Sequence, residues 1–317
     1  MHKINLSVVV PVYRSAGCLK ELHSRLVSVM DELSFRFEII FVEDCGGDNS
    51  WDVISELALI DTRVHGLRMS RNYGQHNALL AGIRHATGEL VITLDDDLQH
   101  PPEEIPKLLS HFAENFDVVY GPPEREQHGL LRDMASRITK FALQSSMGAE
   151  TARKISAFRV FRTSLRDAFA DYRSPSVNID VLLTWGTTRF GICPVRHEAR
   201  QYGESGYSAR KLLAHAFNMI TGFSTIPLKI ASLIGLFFTL FGMGILVFVI
   251  YRYFFTEGSV PGFPFLASII SIFSGAQLLA LGIIGEYLGR IYQRSMERPT
   301  YSLRETTTRS DQDAPSE

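Results

Sequence analysis

The sequence predicts an α/β domain with a mostly parallel sheet, followed by an interfacial amphipathic helix and two transmembrane helices. Within the first 120 residues, short runs of consecutive apolar residues alternate with segments of helical periodicity. This pattern is typical of parallel strands covered by helices on both faces. Residues 230–250 and 258–285 contain no charged side chain. At a rise of ~1.5 Å per residue, each stretch is long enough to cross the ~30 Å hydrocarbon core of a bilayer.

The predicted strands and helices follow one another along the first part of the chain. The strands are residues 6–12, 37–42, 64–69, 90–94 and 118–120, and the helices are residues 19–33, 51–60, 74–86 and 101–112. Ligands of parallel sheets bind beyond the carboxyl ends of the strands. We therefore expect four polar clusters to converge on one rim, namely residues 11–13, 43–44, 71–72 and 95–97.

Composition excludes some classes of protein. The 317 residues include 32 Lys and Arg against 34 Asp and Glu, a net charge of −2. This balance argues against bulk attraction to nucleic acid, so no nucleic-acid partner is expected. The three cysteines, Cys18, Cys45 and Cys193, have no spacing typical of a zinc site or a disulfide framework, which fits a reducing compartment.

A basic region follows the last predicted strand. Residues 121–166 hold nine Lys or Arg against four Asp or Glu, a local charge of +5. Positive residues on a mobile loop would suit a lid over an anionic ligand. A solvated helix face is the alternative interpretation for any single arginine here.

The alternation of apolar and charged segments predicts the boundaries of the membrane-associated region. Residues 211–224 are predicted to form an interfacial helix, although the same pattern also fits a buried helix. The predicted boundaries are a cytoplasmic domain at 1–210, spans at 225–251 and 265–286, an extracytoplasmic connection at 252–264, and a cytoplasmic tail at 287–317 with a disordered end. Basic residues flank the spans on the domain side, which predicts a multi-pass membrane protein with both termini in the cytoplasm.

Acidic turns carry the predicted chemistry. Asp95, Asp96 and Asp97 follow the fourth strand, and a divalent cation would relieve their mutual repulsion. A cap on the next helix is the alternative for Asp97. Glu43 and Asp44 follow the second strand, where a carboxylate accepts from a base N–H or a ribose hydroxyl, unless this turn only caps a helix. The chain has no GxGxxG or GxxxxGK[ST] motif, which weakens the dinucleotide and P-loop alternatives.

Taken in order, these turns resemble a known family. The motifs are VVVPVYR, VEDCGGDNS, RNYGQHNALLAG, TLDDDLQHPPEEIPKL, SAFRVFR and RQYGESGYSARKL. This ordered set resembles the family-two glycosyltransferases of GT-A fold, and in particular those that use polyprenyl phosphates. The resemblance covers residues from about 6 to 211, and the two following spans match the bacterial members.

The resemblance implies a role for each matching residue. The nucleotide-binding positions are Pro11, Tyr13, Glu43, Asp44, Arg71 and Asp95. Asp97 and Gln99 match the positions that bind Mg²⁺ or Mn²⁺, and Asp95, Asp97 and Arg159 match the catalytic set. The positions near the acceptor phosphate are Arg125, Arg132, Ser136, Arg200, Ser205 and Lys211.

Five positions depart from the family pattern. The family commonly has Asn-Glu where Arg14 and Ser15 stand, and Asp where Glu43 stands. Its Ser-Lys-Tyr motif carries Gly206 in place of the lysine, and the middle residue of the DxD motif is Asp96 rather than a small alanine.

The implied activity is metal-dependent, inverting transfer of a sugar from a nucleotide-sugar donor to a polyprenyl phosphate, undecaprenyl or dolichyl. A phosphate monoester is largely ionised at neutral pH and needs little help from a general base. Two alternatives remain: a processive polysaccharide synthase, which needs a QxxRW-type motif and more spans, and a non-catalytic membrane scaffold of the same fold. The expected partners are the donor, the lipid phosphate and the membrane, with homo-oligomerisation left open.

Overall fold

The computed structural model describes residues 5–113, 115–124, 154–174, 177–198, 226–255 and 262–307. The chain divides into two compact units. One unit contains Met1–Leu212 together with Glu297–Glu317, and the other contains Leu213–Met296.

The elements of the first unit alternate as the sequence predicts. Their order up to the fifth strand is β1 (Leu6–Val12), α1 (Leu19–Glu32), β2 (Phe37–Glu43), α2 (Ser50–Ile60), β3 (Val64–Met69), α3 (Gln75–His85), β4 (Leu90–Thr93), a 3₁₀ turn (Pro102–Glu104), α4 (Ile105–Phe112) and β5 (Val118–Tyr120). The remaining elements of this unit are β6 (Arg159–Arg162), a 3₁₀ segment (Thr163–Phe169), α5 (Ile179–Gly186), β7 (Phe190–Ile192) and β8 (Leu303–Thr306). The predicted elements are thus confirmed to within one or two residues at most ends.

The strands form one mixed sheet in the order β7-β5-β6-β4-β1-β2-β3-β8. β1 to β4 run parallel to one another, as predicted, and β5 is parallel to β7. β6 runs antiparallel to both of its neighbours, and β8 runs antiparallel to β3. The sequence analysis predicts no strand at 159–162, because only two apolar residues stand between Arg159 and Arg162, so neither β6 nor its direction is expected.

Packing on both faces of the sheet explains its apolar strands. β1 and β2 are buried along their whole length. α1 turns one stripe toward them, and the buried side chains of that stripe are Leu19, Leu22, Leu26, Val29 and Met30. Burial of this kind is the main stabilising contribution to the domain, and it leaves the strand ends as the polar edge.

The second unit contains the two apolar helices, α6 (Ile226–Phe255) and α7 (Gly262–Ser295). Each contains a 24-residue stretch long and apolar enough to cross a membrane, Leu228–Tyr251 and Ile272–Ser295. α6 continues past the predicted end at 251, and α7 begins before 265 and continues past 286. Proline is tolerated in the first turn of a helix, so Pro264 does not delay the start of α7. Beyond residue 286, the ion pair between Glu286 and Arg290, one helical turn apart at 2.8 Å, supports continued helix.

The chain after α7 differs from the prediction. Residues 287–317 were expected to form a tail outside the domain, but Leu303–Thr306 adds a strand to the sheet of the first unit. The register pairs Leu67 with Thr306 and Arg68 with Glu305. The sequence LRET has one apolar residue and pairs with a strand far away in the chain, so periodicity does not reveal it. Residues 308–317 and the predicted interfacial helix at 211–224 lie outside the described residues.

Candidate functional site at the carboxyl ends of the strands

The turns after β1 and β4 are joined by Asp96. Its Oδ2 accepts a hydrogen bond from the backbone N–H of Tyr13 at 3.1 Å, and the side chain of Ser15 also hydrogen-bonds to this carboxylate. Burial raises the pKa of Asp96, and the adjacent charge of Asp97 adds to the shift, while the two hydrogen bonds oppose it. Ser15 and Asp96 are two of the departures from the family pattern, and the fold brings them into contact.

The turns after β1 and β2 also pack closely. Arg14 Nε donates to the backbone oxygen of Gly46 at 2.9 Å, and Arg14 has a φ of 58°, in the left-handed region. A Cβ atom on Gly46 would lie 2.8 Å from the Arg14 nitrogen, so this approach requires glycine. Next to it, the Tyr13 side chain is 46% exposed, while Pro11 is buried within β1. Of these two predicted nucleotide-binding residues, only Tyr13 presents its ring to solvent.

Glu43 and Asp44 hold the backbone of neighbouring turns. Glu43 is 3% exposed, and its Oε1 accepts from the Gly46 N–H at 2.6 Å. Asp44 is equally buried, and its two oxygens accept from the N–H groups of Tyr73 and Gly74 at 2.7 and 2.8 Å. Burial raises the pKa of Asp44, and the two N–H donors oppose that shift. Contact of these carboxylates with a nucleotide stays a prediction, whereas their role in linking the turns after β2 and β3 is visible.

The turn after β3 reaches the acidic turn after β4. Gln75, the first residue of α3, donates its side-chain amide to Asp95 Oδ1 at 2.5 Å. Arg71 is exposed, and its guanidinium lies 4.6 Å from the centre of the Tyr73 ring. Together with the contacts of Asp96 and Asp44, this geometry confirms the predicted convergence of the four polar clusters on one rim.

Asp97 and Gln99 lie on one tight turn. Asp97 is 7% exposed, and its Oδ1 accepts from the Gln99 backbone N–H at 3.2 Å. Leu98 between them has a φ of 60° and a buried side chain, a backbone conformation that costs about 1–3 kcal/mol for such a residue. The Gln99 carbonyl accepts from the backbone N–H of Glu198 at 2.9 Å, which fixes the far side of the turn.

The donor set of this turn suits a hard divalent cation. The Asp97 carboxylate and the Gln99 amide supply oxygen ligands, the type that Mg²⁺ and Mn²⁺ prefer. In the part of the chain that the structure describes, no three His, Cys, Asp or Glu side chains come together as a complete cation site. The residues therefore fit a cation that completes its shell with water and substrate phosphates, which is the usual way Mg²⁺ binds.

Arg159 lies inside the domain rather than on the rim. It is 2% exposed, its Nη1 donates to Asp180, and its Nε donates to Thr93 Oγ1 at 3.0 Å. The Tyr120 hydroxyl donates to the same Asp180 oxygen at 3.0 Å, and burial raises the pKa of Tyr120. The predicted catalytic role of Arg159 was based on its motif alone. Arg159 pairs in the sheet with Thr93, which precedes Asp95 by two residues. This position favours a role in supporting the acidic turn.

Motif matching did not single out His100, which packs beneath the same turn. It is 7% exposed, and its ring lies 5.0 Å from that of His197 and 5.5 Å from that of Phe158. Burial lowers the pKa of His100 to about 4, so the neutral ring is favoured at neutral pH. In the sequence, only its position directly after Gln99 indicates that His100 lies near the acidic turn.

The predicted acceptor-phosphate residues lie outside the described residues. They are Arg125, Arg132, Ser136, Arg200, Ser205 and Lys211. No functional role is predicted for Arg68, because none of the motifs includes it.

The chain is similar in sequence to a known family and to proteins of known name. The family model described as "Glycosyl transferase family 2" matches residues 7–169. The undecaprenyl-phosphate 4-deoxy-4-formamido-L-arabinose transferase of Enterobacter sp. (strain 638) is 34% identical over 312 residues, covering 98% of this chain and 95% of that protein. The protein of the same name from Sodalis glossinidius (strain morsitans) is 35% identical over 299 residues, covering 93% and 92% respectively.

Two solved structures have a similar fold. Mannosyl-3-phosphoglycerate synthase from Rubrobacter xylanophilus superposes with a TM-score of 0.51 at 14% identity, covering 82% of this chain and 79% of that one. Glucosyl-3-phosphoglycerate synthase from Mycobacterium tuberculosis, in complex with Mn²⁺, UDP and phosphoglyceric acid, gives 0.51 at 15% identity, covering 69% and 76%. At these identities the likeness shows the fold alone, and it confirms the predicted α/β architecture.

Proposed function

The chain belongs to glycosyl transferase family 2, and from that membership we propose that it transfers a sugar from a nucleotide-sugar donor to undecaprenyl phosphate. One observation carries the proposal. The likeness to undecaprenyl-phosphate transferases spans 98% of the chain, so it includes both the acidic rim and the two apolar helices. The rim would bind the donor, and the apolar helices would hold the domain at the membrane that contains the lipid acceptor.

The donor binds at the rim in this proposal. Tyr13, Asp44 and Arg71 surround the base and ribose, and Asp95 faces the ribose and diphosphate. Asp97 and Gln99 would hold Mg²⁺ or Mn²⁺, which would neutralise negative charge on the departing nucleoside diphosphate. The hydrogen bonds that Asp44, Asp96 and Gln75 make across the rim keep these turns in fixed positions before the donor arrives. Preorganisation of this kind lowers the cost of binding.

The acceptor attacks directly. A phosphate monoester has a second pKa of about 6, so the lipid phosphate is already an anionic nucleophile at neutral pH. A single displacement at the anomeric carbon inverts its configuration, the new bond to the phosphate oxygen forming as the bond to the diphosphate breaks. From the family resemblance we assign the acceptor phosphate to the residues Arg125, Arg132, Ser136, Arg200, Ser205 and Lys211. Arg159 supports the acidic turn from below.

The proposed location is the bacterial inner membrane, with the domain and both termini in the cytoplasm. The chain leaves the first unit at Leu212 and belongs to it again from Glu297, after both apolar helices. Two crossings return a chain to the side from which it started, which supports a helical hairpin with both ends on one side. The excess of basic residues at those ends favours the cytoplasmic side.

The test is sugar transfer by the purified full-length protein in detergent. Undecaprenyl phosphate is incubated with a panel of UDP-, GDP- and dTDP-sugars, with Mg²⁺ or Mn²⁺, and lipid-linked sugar is measured by mass spectrometry. We expect one donor class to give product and EDTA to abolish its formation. Failure of every donor would contradict the proposal, as would formation of a polymer, which would identify a processive synthase. Full activity in EDTA would contradict the cation assignment.

A further inference from the structure

The C-terminal segment, defined as Thr300–Thr307, is held by hydrogen bonds to helix α3 at one end and to strand β3 at the other. Thr300 is 5% exposed, and its hydroxyl accepts from Arg84 at 3.4 Å. At the other end, Thr307 exchanges two hydrogen bonds with Gly66: the Gly66 N–H donates to Thr307 Oγ1 at 2.7 Å, and the Thr307 N–H donates to the Gly66 oxygen at 3.0 Å. The segment is thus an integral edge of the sheet.

Gly66 lacks a side chain where the C-terminal segment lies. A Cβ atom there would approach the Thr307 methyl group to 2.8 Å and an Ile54 methyl group to 2.6 Å. Trp51 lies next to the same spot, 3.2 Å away. The close approach of the segment therefore depends on glycine, and Trp51 is well placed to report on it.

Arg68 connects this segment to the rim. In β3 it pairs with Glu305 of β8, and its Nη1 lies 3.3 Å from Glu305 Oε1. Its Nε lies 3.5 Å from Glu43 Oε2, and its guanidinium carbon lies 5.6 Å from the centre of the Trp51 ring. One guanidinium thus faces an exposed carboxylate on the segment and a buried one at the end of β2.

Glu43 has a particular need for this cation. Its Oε1 holds the Gly46 N–H, but among the described residues its buried Oε2 has no hydrogen-bond partner. A buried carboxylate without a counter-charge is costly. Arg68 supplies the counter-charge, so that Glu43 can hold Gly46, whose carbonyl in turn accepts from Arg14 beside Tyr13.

We propose that the C-terminal segment is a positioning element for the nucleotide-sugar donor, and that it acts through Arg68 on Glu43. The inference rests on the proposed function, because the turn that Glu43 holds is part of the proposed donor site. Arg68 and Glu305 are positioning residues, since each acts through another side chain. The residues after the second apolar helix would then contribute to donor binding in the domain that precedes the first.

The first test separates donor binding from turnover. Arg68→Gln removes the counter-charge, and we expect the donor KM to rise about tenfold while kcat changes less than about threefold, an effect within the usual range of coupling between neighbours. Arg68→Lys keeps the charge and should recover much of the loss. Glu43→Gln/Arg68→Gln should have the same donor KM as Glu43→Gln alone, because Arg68 would have no carboxylate left to balance.

The second test follows the segment without substrate. The chain has two tryptophans, so in a Trp185→Phe background Trp51 is the only one. Glu305→Arg places a second cation beside Arg68, and we expect it to shift Trp51 emission and raise the donor KM. Arg304→Gln is the matched control, since Arg304 is an exposed neighbour on the same strand that contacts Glu305 but not Glu43. Arg304→Gln should leave the Trp51 emission maximum unchanged and the donor KM within about twofold of the parent.

The outcomes of the two proposals are distinguishable. Absence of transfer by the unmodified protein overturns the proposed function, and calorimetric titration with UDP, GDP and dTDP in Mn²⁺ then tests the inference by nucleotide affinity. The inference is overturned if Arg68→Gln changes neither the donor KM nor the nucleotide affinity. It is also overturned if the effects of Glu43→Gln and Arg68→Gln are additive, or if the parent binds none of the three nucleotides.

Discussion

The carboxylate of Asp61, at the amino end of the sheet, and those of Asp44 and Asp96, at the carboxyl end, are stabilised in opposite ways. At the amino end, Asp61 is bound by the guanidinium of Arg63 and by His23, and the side-chain hydrogen bond from Arg63 holds its pKa at about 2. At the carboxyl end, Asp44 and Asp96 accept from neutral N–H groups and a hydroxyl, and burial raises the pKa of both. The Asp61 carboxylate is thus paired with a cationic side chain of the protein, whereas Asp44 and Asp96 are held by neutral hydrogen-bond donors.

The difference has a functional meaning. A carboxylate that is fully satisfied by arginine contributes to stability and has little left to offer a ligand. A carboxylate held only by neutral donors in a partly buried turn costs stability and has a perturbed pKa, which is typical of functional sites. We therefore expect substitutions at the carboxyl end to alter catalysis more than stability, and substitutions at the amino end to do the reverse.

The largest effect is expected for Asp97→Asn. The amide keeps the shape of the turn but loses the charge proposed to bind the cation, so kcat should fall roughly 10²-fold or more, as when a group that stabilises transition-state charge is removed. The thermal midpoint should change little. The measurement is steady-state transfer to undecaprenyl phosphate, with Asp171→Asn, an exposed aspartate in a turn, as control. Near-normal kcat in Asp97→Asn would remove this residue from the metal site.

The opposite behaviour is expected at the amino end for Glu38→Gln, because Glu38 lies at the start of β2, away from the rim, although its hydrogen-bond donors are neutral like those of Asp44. Glu38 is 3% exposed, and its Oε1 accepts from the Ser7 hydroxyl at 2.5 Å and from the Thr87 N–H and hydroxyl at 2.7 and 2.8 Å. Disruption of such a buried network costs about 1–3 kcal/mol in the free energy of unfolding. Thermal unfolding in detergent should show a lower midpoint, while the donor KM at permissive temperature stays unchanged. A raised donor KM would break the contrast between the two ends.

These contrasts also explain what the sequence could predict. The convergence of four polar clusters follows from local patterns, since each cluster ends a parallel strand and such ends share an edge. The burial of Arg159 depends on Asp180, and the role of Arg68 depends on β8, which is contributed by residues beyond both apolar helices. Periodicity carries no information on such distant pairings, so the contact of Arg68 with β8 and the burial of Arg159 are not predictable from the local sequence.

A smaller effect is expected from the contact between Ser15 and Asp96. If these two residues compensate for each other's departure from the family pattern, Ser15→Ala and Asp96→Ala should each raise the donor KM severalfold, and the double variant should be no worse than the worse single one. Interaction energies of about 0.5–3 kcal/mol are usual for residues in contact. Kinetic double-mutant cycles measure this term, and simple additivity would show that the two substitutions act independently.

The smallest effect concerns pH at the amino end. The folded-state pKa of Asp61 is about 2, below its ordinary value of 3.8, so its pairing with Arg63 stabilises the fold above about pH 4 and is lost as pH falls toward 2. Asp61→Asn should therefore lower the thermal midpoint at pH 6, and the difference from the parent should shrink between pH 4 and 2. Asp31→Asn is the control, because Asp31 contacts the same Arg63 at 3.0 Å from a more exposed position. A difference that did not depend on pH would show that Asp61 acts through packing rather than charge. It would also remove the electrostatic contrast with the carboxylates of the rim.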